Sequence, residues 1–195
     1  AAWVAAQNEV TFGFLKQIPQ RDAIRNRLTE LWDFERYDLP VKEGGKYFFR
    51  RNTGLQNQSV LYVADSLTGE PRELLNPNTL REDGTMAVGA WSVSEDGKYL
   101  AYGTSSGGSD WVEFRVRDVA TGKDLPDEIK WAKFTGASWT KDGKGFFYSR
   151  YDEPKGNALS AQNFNQKLYY HEVGKPQSED RLVYKRDDQP KWGFS

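Results

Sequence analysis

Along Val112-Glu113-Phe114-Arg115-Val116-Arg117 apolar and charged side chains alternate without a break. A period of two puts Val112, Phe114 and Val116 on one face of a strand and Glu113, Arg115 and Arg117 on the other. The nearby run Tyr99-Leu100-Ala101-Tyr102 is apolar at every position, which suits a strand covered on both faces. This short period holds from about Tyr37 onward. Before it the pattern is helical. Trp3, Val4, Val10, Phe14, Leu15 and Ile18 fall at roughly helical spacing, Pro19 interrupts, and Ile24, Leu28 and Leu31 follow the i, i+4, i+7 rule with Arg, Asn and Glu between them. The pattern predicts helix over residues 1 to about 36, opening at Ala1-Ala2-Trp3 without a cap, as if cut from a longer helix, and strands thereafter.

The strands are joined by turns that repeat. Trp91-Ser92-Val93-Ser94-Glu95-Asp96-Gly97-Lys98-Tyr99-Leu100-Ala101-Tyr102 returns as Ala137-Ser138-Trp139-Thr140-Lys141-Asp142-Gly143-Lys144-Gly145-Phe146-Phe147-Tyr148. An earlier copy is Glu43-Gly44-Gly45-Lys46-Tyr47-Phe48-Phe49. Asp-Gly between apolar runs is a strong hairpin signal, because Gly accepts positive φ without a Cβ clash. A second turn, Asp65-Ser66-Leu67-Thr68-Gly69, echoes in Asp118-Val119-Ala120-Thr121-Gly122 and more loosely in His171-Glu172-Val173-Gly174. The first series is spaced 52 and 46 residues apart and the second 53 and 52. Two turns keeping step at roughly 50 residues indicate a repeat of about four strands, the pattern of β-propeller blades.

With strands lettered A to D from the inside of a blade, Lys46–Arg51, Ser59–Ala64 and Arg72–Leu75 are B, C and D of the first unit. Ala87–Val93, Lys98–Gly103 and Trp111–Asp118 are A, B and C of the second, with a short D near Glu128–Trp131. Gly136–Thr140, Gly145–Arg150, Lys167–Glu172 and Arg181–Tyr184 complete the third, and Pro190-Lys191-Trp192 reads as the run into another. In an up-and-down blade the tight A–B and C–D turns share one face. The other face receives the longer loops, 52–57, 104–110 and 151–166, and the connection ending at Phe134. Long loops on a rigid scaffold are where binding is usually built.

Composition removes several function classes. The net charge is −1 over 195 residues, with Lys and Arg spread along the chain, so nothing marks a nucleic-acid or anionic-membrane partner. No apolar run approaches the roughly 18 residues of a helical membrane span. There is no Cys, which excludes disulfides and thiolate chemistry and leaves the redox compartment unread. A cytoplasmic setting is the working expectation, with the periplasm as alternative. The one His, His171, excludes multi-His metal sites, and no cofactor is implied. Gly103-Thr104-Ser105-Ser106-Gly107 matches G-x-S-x-G, but a nucleophile elbow needs a strand-to-helix turn, and here strands lie on both sides. The acidic pairs Glu179-Asp180 and Asp187-Asp188 read as solvated turns.

Beyond these patterns, Asn52-Thr53-Gly54-Leu55-Gln56-Asn57-Gln58 followed by Val60-Leu61-Tyr62-Val63 resembles the first blade of the prolyl oligopeptidase family. So do Gly107-Gly108-Ser109-Asp110-Trp111, Lys133-Phe134, Gln166-Lys167-Leu168-Tyr169-Tyr170-His171 and Pro176-Gln177-Ser178-Glu179-Asp180. The similarity runs through essentially the whole chain at the same spacing. It implies a mainly β fold: about three four-stranded blades of a seven-bladed propeller, preceded by a helical segment of an α/β-hydrolase domain. Residues 1–36 would belong to that peptidase domain, and residues 37–195 would be blades one to three and the start of blade four. The family is a serine endopeptidase that cleaves short peptides after proline, with the propeller capping the active site and limiting substrate size. Its partners here would be short proline-containing peptides and the hydrolase domain of the same full-length enzyme.

The resemblance carries two roles onto this chain. Asp110 matches an acidic residue that pairs with the arginine holding the substrate backbone, and Phe134 matches an aromatic of the apolar subsite away from the scissile bond. Asp110 also fits a plain side-chain cap of its turn, and Phe134 also fits blade core. The family's Ser-Asp-His triad has no counterpart in residues 1–195, so this stretch alone is expected to be inactive. The rival reading is a stand-alone propeller scaffold for protein contacts. Its WD40 form would show Gly-His and Trp-Asp at fixed places in each blade, and the strand region from Tyr37 onward has neither pair. A sugar- or ion-binding propeller lacks a ligand cluster.

Overall fold

The computed structural model describes residues 2–195. Ala1, at the head of the expected helix, lies outside the described residues. Helix α1 spans Ala2–Lys16 and α2 spans Arg21–Trp32, with Pro19 in the break between them. The second helix stops earlier than the apolar pattern suggests. The amide of Asp33 still bonds to the Thr29 carbonyl at 3.0 Å, but Asp33 leaves the helical region, and Arg36–Tyr37 is already a short strand, β1. No residue of either helix is buried. Contact density divides the chain into two units. The first runs to Arg36 and takes in Asn52–Gln56; the second holds Tyr37–Arg51 and Asn57–Ser195. Within the first unit the Arg36 guanidinium donates to the Gly54 carbonyl at 2.6 Å, and the Asn52 side-chain oxygen accepts from the Gly54 amide.

The strands of the second unit form three antiparallel blades. In the first, β2 (Val41–Glu43), β3 (Lys46–Asn52), β4 (Val60–Ala64) and β5 (Arg72–Leu75) pair in order, and β1 also pairs with β3. The second holds β6 (Met86–Val93), β7 (Tyr99–Ser106), β8 (Val112–Asp118) and β9 (Asp124–Ala132). The third holds β10 (Ser138–Trp139), β11 (Gly145–Arg150), β12 (Lys167–Glu172) and β13 (Arg181–Tyr184). Between the second and third blades the ladder consists of the single pair Arg150 and Ala132. Strand D of the second blade is thus far longer than the short piece the sequence suggests, because it starts directly after the Thr121-Gly122 turn. β7 likewise runs through Ser106, so Ser105 of the G-x-S-x-G match sits in a strand opposite Ala87.

The core lies between blades. Phe48, Leu61, Val63, Leu74 and Leu75 of the first blade meet Val93, Leu100, Tyr102 and Val119 of the second. Ala101, Phe114, Val116, Ile129 and Ala132 of the second meet Phe146 and Tyr148 of the third. Adjacent residues of β7 therefore serve opposite interfaces, which is why Leu100, Ala101 and Tyr102 are all buried. The charged face of β8 is used as well. Arg117 crosses to the first blade and donates to the Leu74 carbonyl at 2.7 Å, while its other donors hold Asp124.

A–B turns pack against each other on one face. The amide of Gly44 donates to the Glu95 carbonyl at 2.9 Å, and a Cβ on Gly44 would lie 2.1 Å from the Asp96 carbonyl oxygen. Gly44 also has φ of 54°, a left-handed value unfavourable for L residues by roughly 1–2 kcal/mol. Gly44→Ala is therefore expected to lower stability by about 2 kcal/mol or more. Urea unfolding of the full-length protein tests this, and an unchanged midpoint would mean the turn stack yields freely.

The second and third blades are tied by a buried charge cluster that the sequence reading missed. Asp180 lies in no solvated turn: its side chain is 1% exposed and bonds His171 Nδ1 at 2.7 Å and the Tyr148 hydroxyl at 2.6 Å. The single 3₁₀ turn Gln177–Glu179 folds it inward, leaving Glu179 outside. From the second blade, Asp127 bonds His171 Nε2 at 2.9 Å and accepts from the Gly174 amide at 2.7 Å. Burial alone would depress the imidazole, but hydrogen bonds and charge from Asp127 and Asp180 overcome it and raise His171 to about 9. Asp187 and Asp188 are exposed and pair with Lys185 and Arg186, as solvated turn residues do.

Candidate functional site

The register of β8 and β9 fixes where the two candidate residues meet. Val112 pairs with Ala132 at the end of the ladder. Continued outward, that register sets Trp111 against Lys133 and Asp110 against Phe134. The structure accordingly brings Asp110 and Phe134 to one strand end, joined through Lys133. The Lys133 ammonium lies 3.7 Å from the Asp110 carboxylate and 5.1 Å from the centre of the Phe134 ring.

The alternatives left open by the sequence can be weighed on geometry. The turn cap before β8 is supplied by Ser109, whose hydroxyl accepts from the Trp111 amide at 3.1 Å. Among the described residues the Asp110 carboxylate has one partner, Lys133, and remains 66% exposed. Phe134 is 59% exposed, so it is not blade core. It also has φ of 55°, and Trp131 three residues earlier has φ of 63°. Left-handed backbone at bulky residues costs about 1–3 kcal/mol apiece and persists where surrounding structure enforces it. Here the enforcement is visible. Gln166, itself buried, donates from Nε2 to the Lys133 carbonyl at 2.8 Å, pinning the residue before Phe134.

An aromatic floor supports the pair. Trp111 meets Trp131 edge-on at 5.7 Å and Tyr151 at 6.1 Å, and its Nε1 donates to the Ala158 carbonyl at 2.9 Å. That bond anchors the 151–166 loop of the third blade on the strand end of the second. Burial raises the Tyr151 phenol above its usual value. Lys133 lies 4.9 Å above the Trp111 ring, with its side chain 10% exposed. Trp111 and Trp131 also line a cleft of about 280 Å³ together with Arg81, Met86 and Glu113. Lys133, Trp111 and Gln166 all lie in motifs the sequence offers, but nothing there assigns them a role. The signal that could have found Lys133 is the antiparallel register itself.

The model of the prolyl oligopeptidase N-terminal β-propeller domain matches residues 1–195. This chain belongs to the prolyl oligopeptidase family. A prolyl endopeptidase from Elizabethkingia meningoseptica is 40% identical over 97% of this chain and 27% of its own length. Prolyl oligopeptidase ophP from Omphalotus olearius is 37% identical over 98% of this chain and 29% of its own. Among solved structures, a prolyl endopeptidase aligns at 41% identity and a TM-score of 0.75, covering 97% of this chain and 27% of that one. Prolyl oligopeptidase B from Galerina marginata, bound to a 25mer macrocyclization substrate, aligns at 30% identity and a TM-score of 0.88, covering 98% of this chain and 29% of its own. The chain thus spans somewhat over a quarter of the length of the prolyl oligopeptidase relatives it matches.

Proposed function

We propose that this chain is the propeller-side part of a prolyl endopeptidase, a serine-type enzyme cleaving short peptides after proline, with the catalytic Ser, His and Asp contributed from outside residues 1–195. In this reading residues 1–36 belong to the hydrolase domain, and the propeller gates entry and limits substrate size. Asp110 orients the arginine that holds the substrate backbone, and Phe134 lines an apolar subsite. The observation that carries the reading is the meeting of Asp110 and Phe134 at one strand end. One is an exposed carboxylate with a single partner, the other an exposed aromatic on constrained backbone.

The chemistry assigned to the rest of the enzyme is attack of a Ser hydroxyl on the carbonyl after proline, with His as base. The propeller side contributes orientation. A charge fixed at the end of a rigid strand holds its partner in place, and positioning of that kind is worth large rate factors. The test uses the full-length protein with a chromogenic glycyl-prolyl substrate and with long unfolded polypeptides. Cleavage after proline in the short substrate and none in the long one is expected, and residues 1–195 expressed separately should be inactive. Turnover by that stretch alone, abolished in Ser105→Ala, would overturn the assignment.

A further inference from the structure

We infer that Lys133 sets the charge specificity of the Phe134 subsite, disfavouring peptides that place a cationic side chain on Phe134. The inference rests on the reading of Phe134 as a substrate subsite and adds a residue that the reading does not include. Lys133 is the residue before Phe134, and its side chain is largely covered. Its ammonium is enclosed by the Trp111 ring at 4.9 Å, the Phe134 ring at 5.1 Å and the Asp110 carboxylate at 3.7 Å. The side chain is 10% exposed, and the Gln166 amide holds the Lys133 carbonyl and with it the local backbone.

The two charges of this pair are not screened alike. The Asp110 carboxylate is 66% exposed and open to the arginine of the reading above, whereas the ammonium is packed against two rings and 10% exposed. The negative charge is therefore shared and screened more than the positive one. Phe134, 59% exposed, keeps ring surface free for an apolar group. A side chain resting there comes within about 8 Å of the ammonium, where a unit charge at an effective dielectric between about 20 and about 80 shifts affinity by about twofold to about thirtyfold. The ammonium also competes for the electron-rich ring face that a ligand cation would use. A neutral or acidic group meets no such opposition. Lys133 touches no reacting atom; it determines which peptides dock.

The experiment uses the full-length enzyme with three chromogenic peptides, X-Gly-Pro, in which X is Lys, Met or Glu. Wild type should prefer Met and Glu over Lys, and rising salt should shrink that preference, a result needing no variant. Lys133→Met should raise kcat/KM for the Lys peptide relative to the Met peptide by about fivefold, while Lys133→Arg keeps the wild-type ratio. A merely structural lysine would lower all three peptides together, so an unchanged ratio in Lys133→Met overturns the inference. Phe134→Ala separates the underlying reading. If kcat/KM is unaffected for every peptide, the subsite itself is wrong. If it falls for the Met peptide while Lys133→Met leaves the ratio alone, only the charge role is lost.

Discussion

Substitution of His171 by Gln should lower the stability of the full-length protein by about 3 kcal/mol or more at neutral pH, the expected result of breaking a buried ion cluster. His171 is fully buried, with Asp127 on Nε2 and Asp180 on Nδ1. Remove the imidazolium and two buried carboxylates face each other across the blade junction, with only the Tyr148 hydroxyl and the Gly174 amide left to satisfy them. The pH dependence has a definite sign. The folded chain holds the His171 proton up to about 9, against an ordinary value of 6.5. The resulting stabilisation, roughly 3 kcal/mol, is complete below the unfolded value and drains away as pH rises through the folded one. Melting temperatures from about pH 6 to about pH 10 should fall on the alkaline side in wild type, and that limb should flatten in His171→Gln. Identical slopes in the two proteins would show that the imidazole is neutral in the fold and that the cluster is only hydrogen-bonded.

The fold was legible because its signals are local. Asp-Gly turns, alternation along β8 and the all-apolar Tyr99–Tyr102 run each encode one strand or hairpin, and the repeat supplies the rest. The features that escaped are those depending on a neighbour. β2 is three residues long, Val41–Glu43, too short to show a period, and exists because β3 pairs with it. β9 includes Pro126 and three acidic residues, Asp124, Asp127 and Glu128, which disguise a strand; Asp127 is tolerated there because His171 of the next blade meets it. Asp180 reads as solvated for the same reason. Its partner lies nine residues away on β12, and composition says nothing about an inward turn.

The candidate site was legible only in part. Asp110 and Phe134 entered through family resemblance, since residue types alone fit a turn cap and a core aromatic equally well. Geometry weighs against both of those alternatives. Ser109 does the capping, and Phe134 stands exposed on left-handed backbone. What joins the two is a lysine whose burial no hydropathy pattern foretells, because its enclosure depends on Trp111, Phe134 and Asp110 at the far end of a hairpin.

Asp110→Asn should reduce kcat/KM of the full-length enzyme by about tenfold to a hundredfold, roughly 1.4 to 2.8 kcal/mol of transition-state stabilisation. The substitution keeps size and shape but removes the charge that, on the reading proposed above, fixes the substrate-holding arginine. That arginine would then sample more orientations, and each substrate would have to order it on binding. The loss should appear only where the arginine is used, so a small irreversible serine reagent making no backbone contact should react at nearly the wild-type rate. Folding should register the change by no more than about 1 kcal/mol. The Lys133 ammonium loses its counter-charge, but the pair is long at 3.7 Å and its carboxylate end is 66% exposed. Lys133 keeps its contacts with Trp111 and Phe134, and the Gln166 bond to its carbonyl is untouched. Steady-state kinetics, reagent inactivation and a thermal melt of the same preparation give three readings that must agree. Intact kcat/KM with a melting temperature several degrees lower would make Asp110 a structural partner of Lys133 and nothing more.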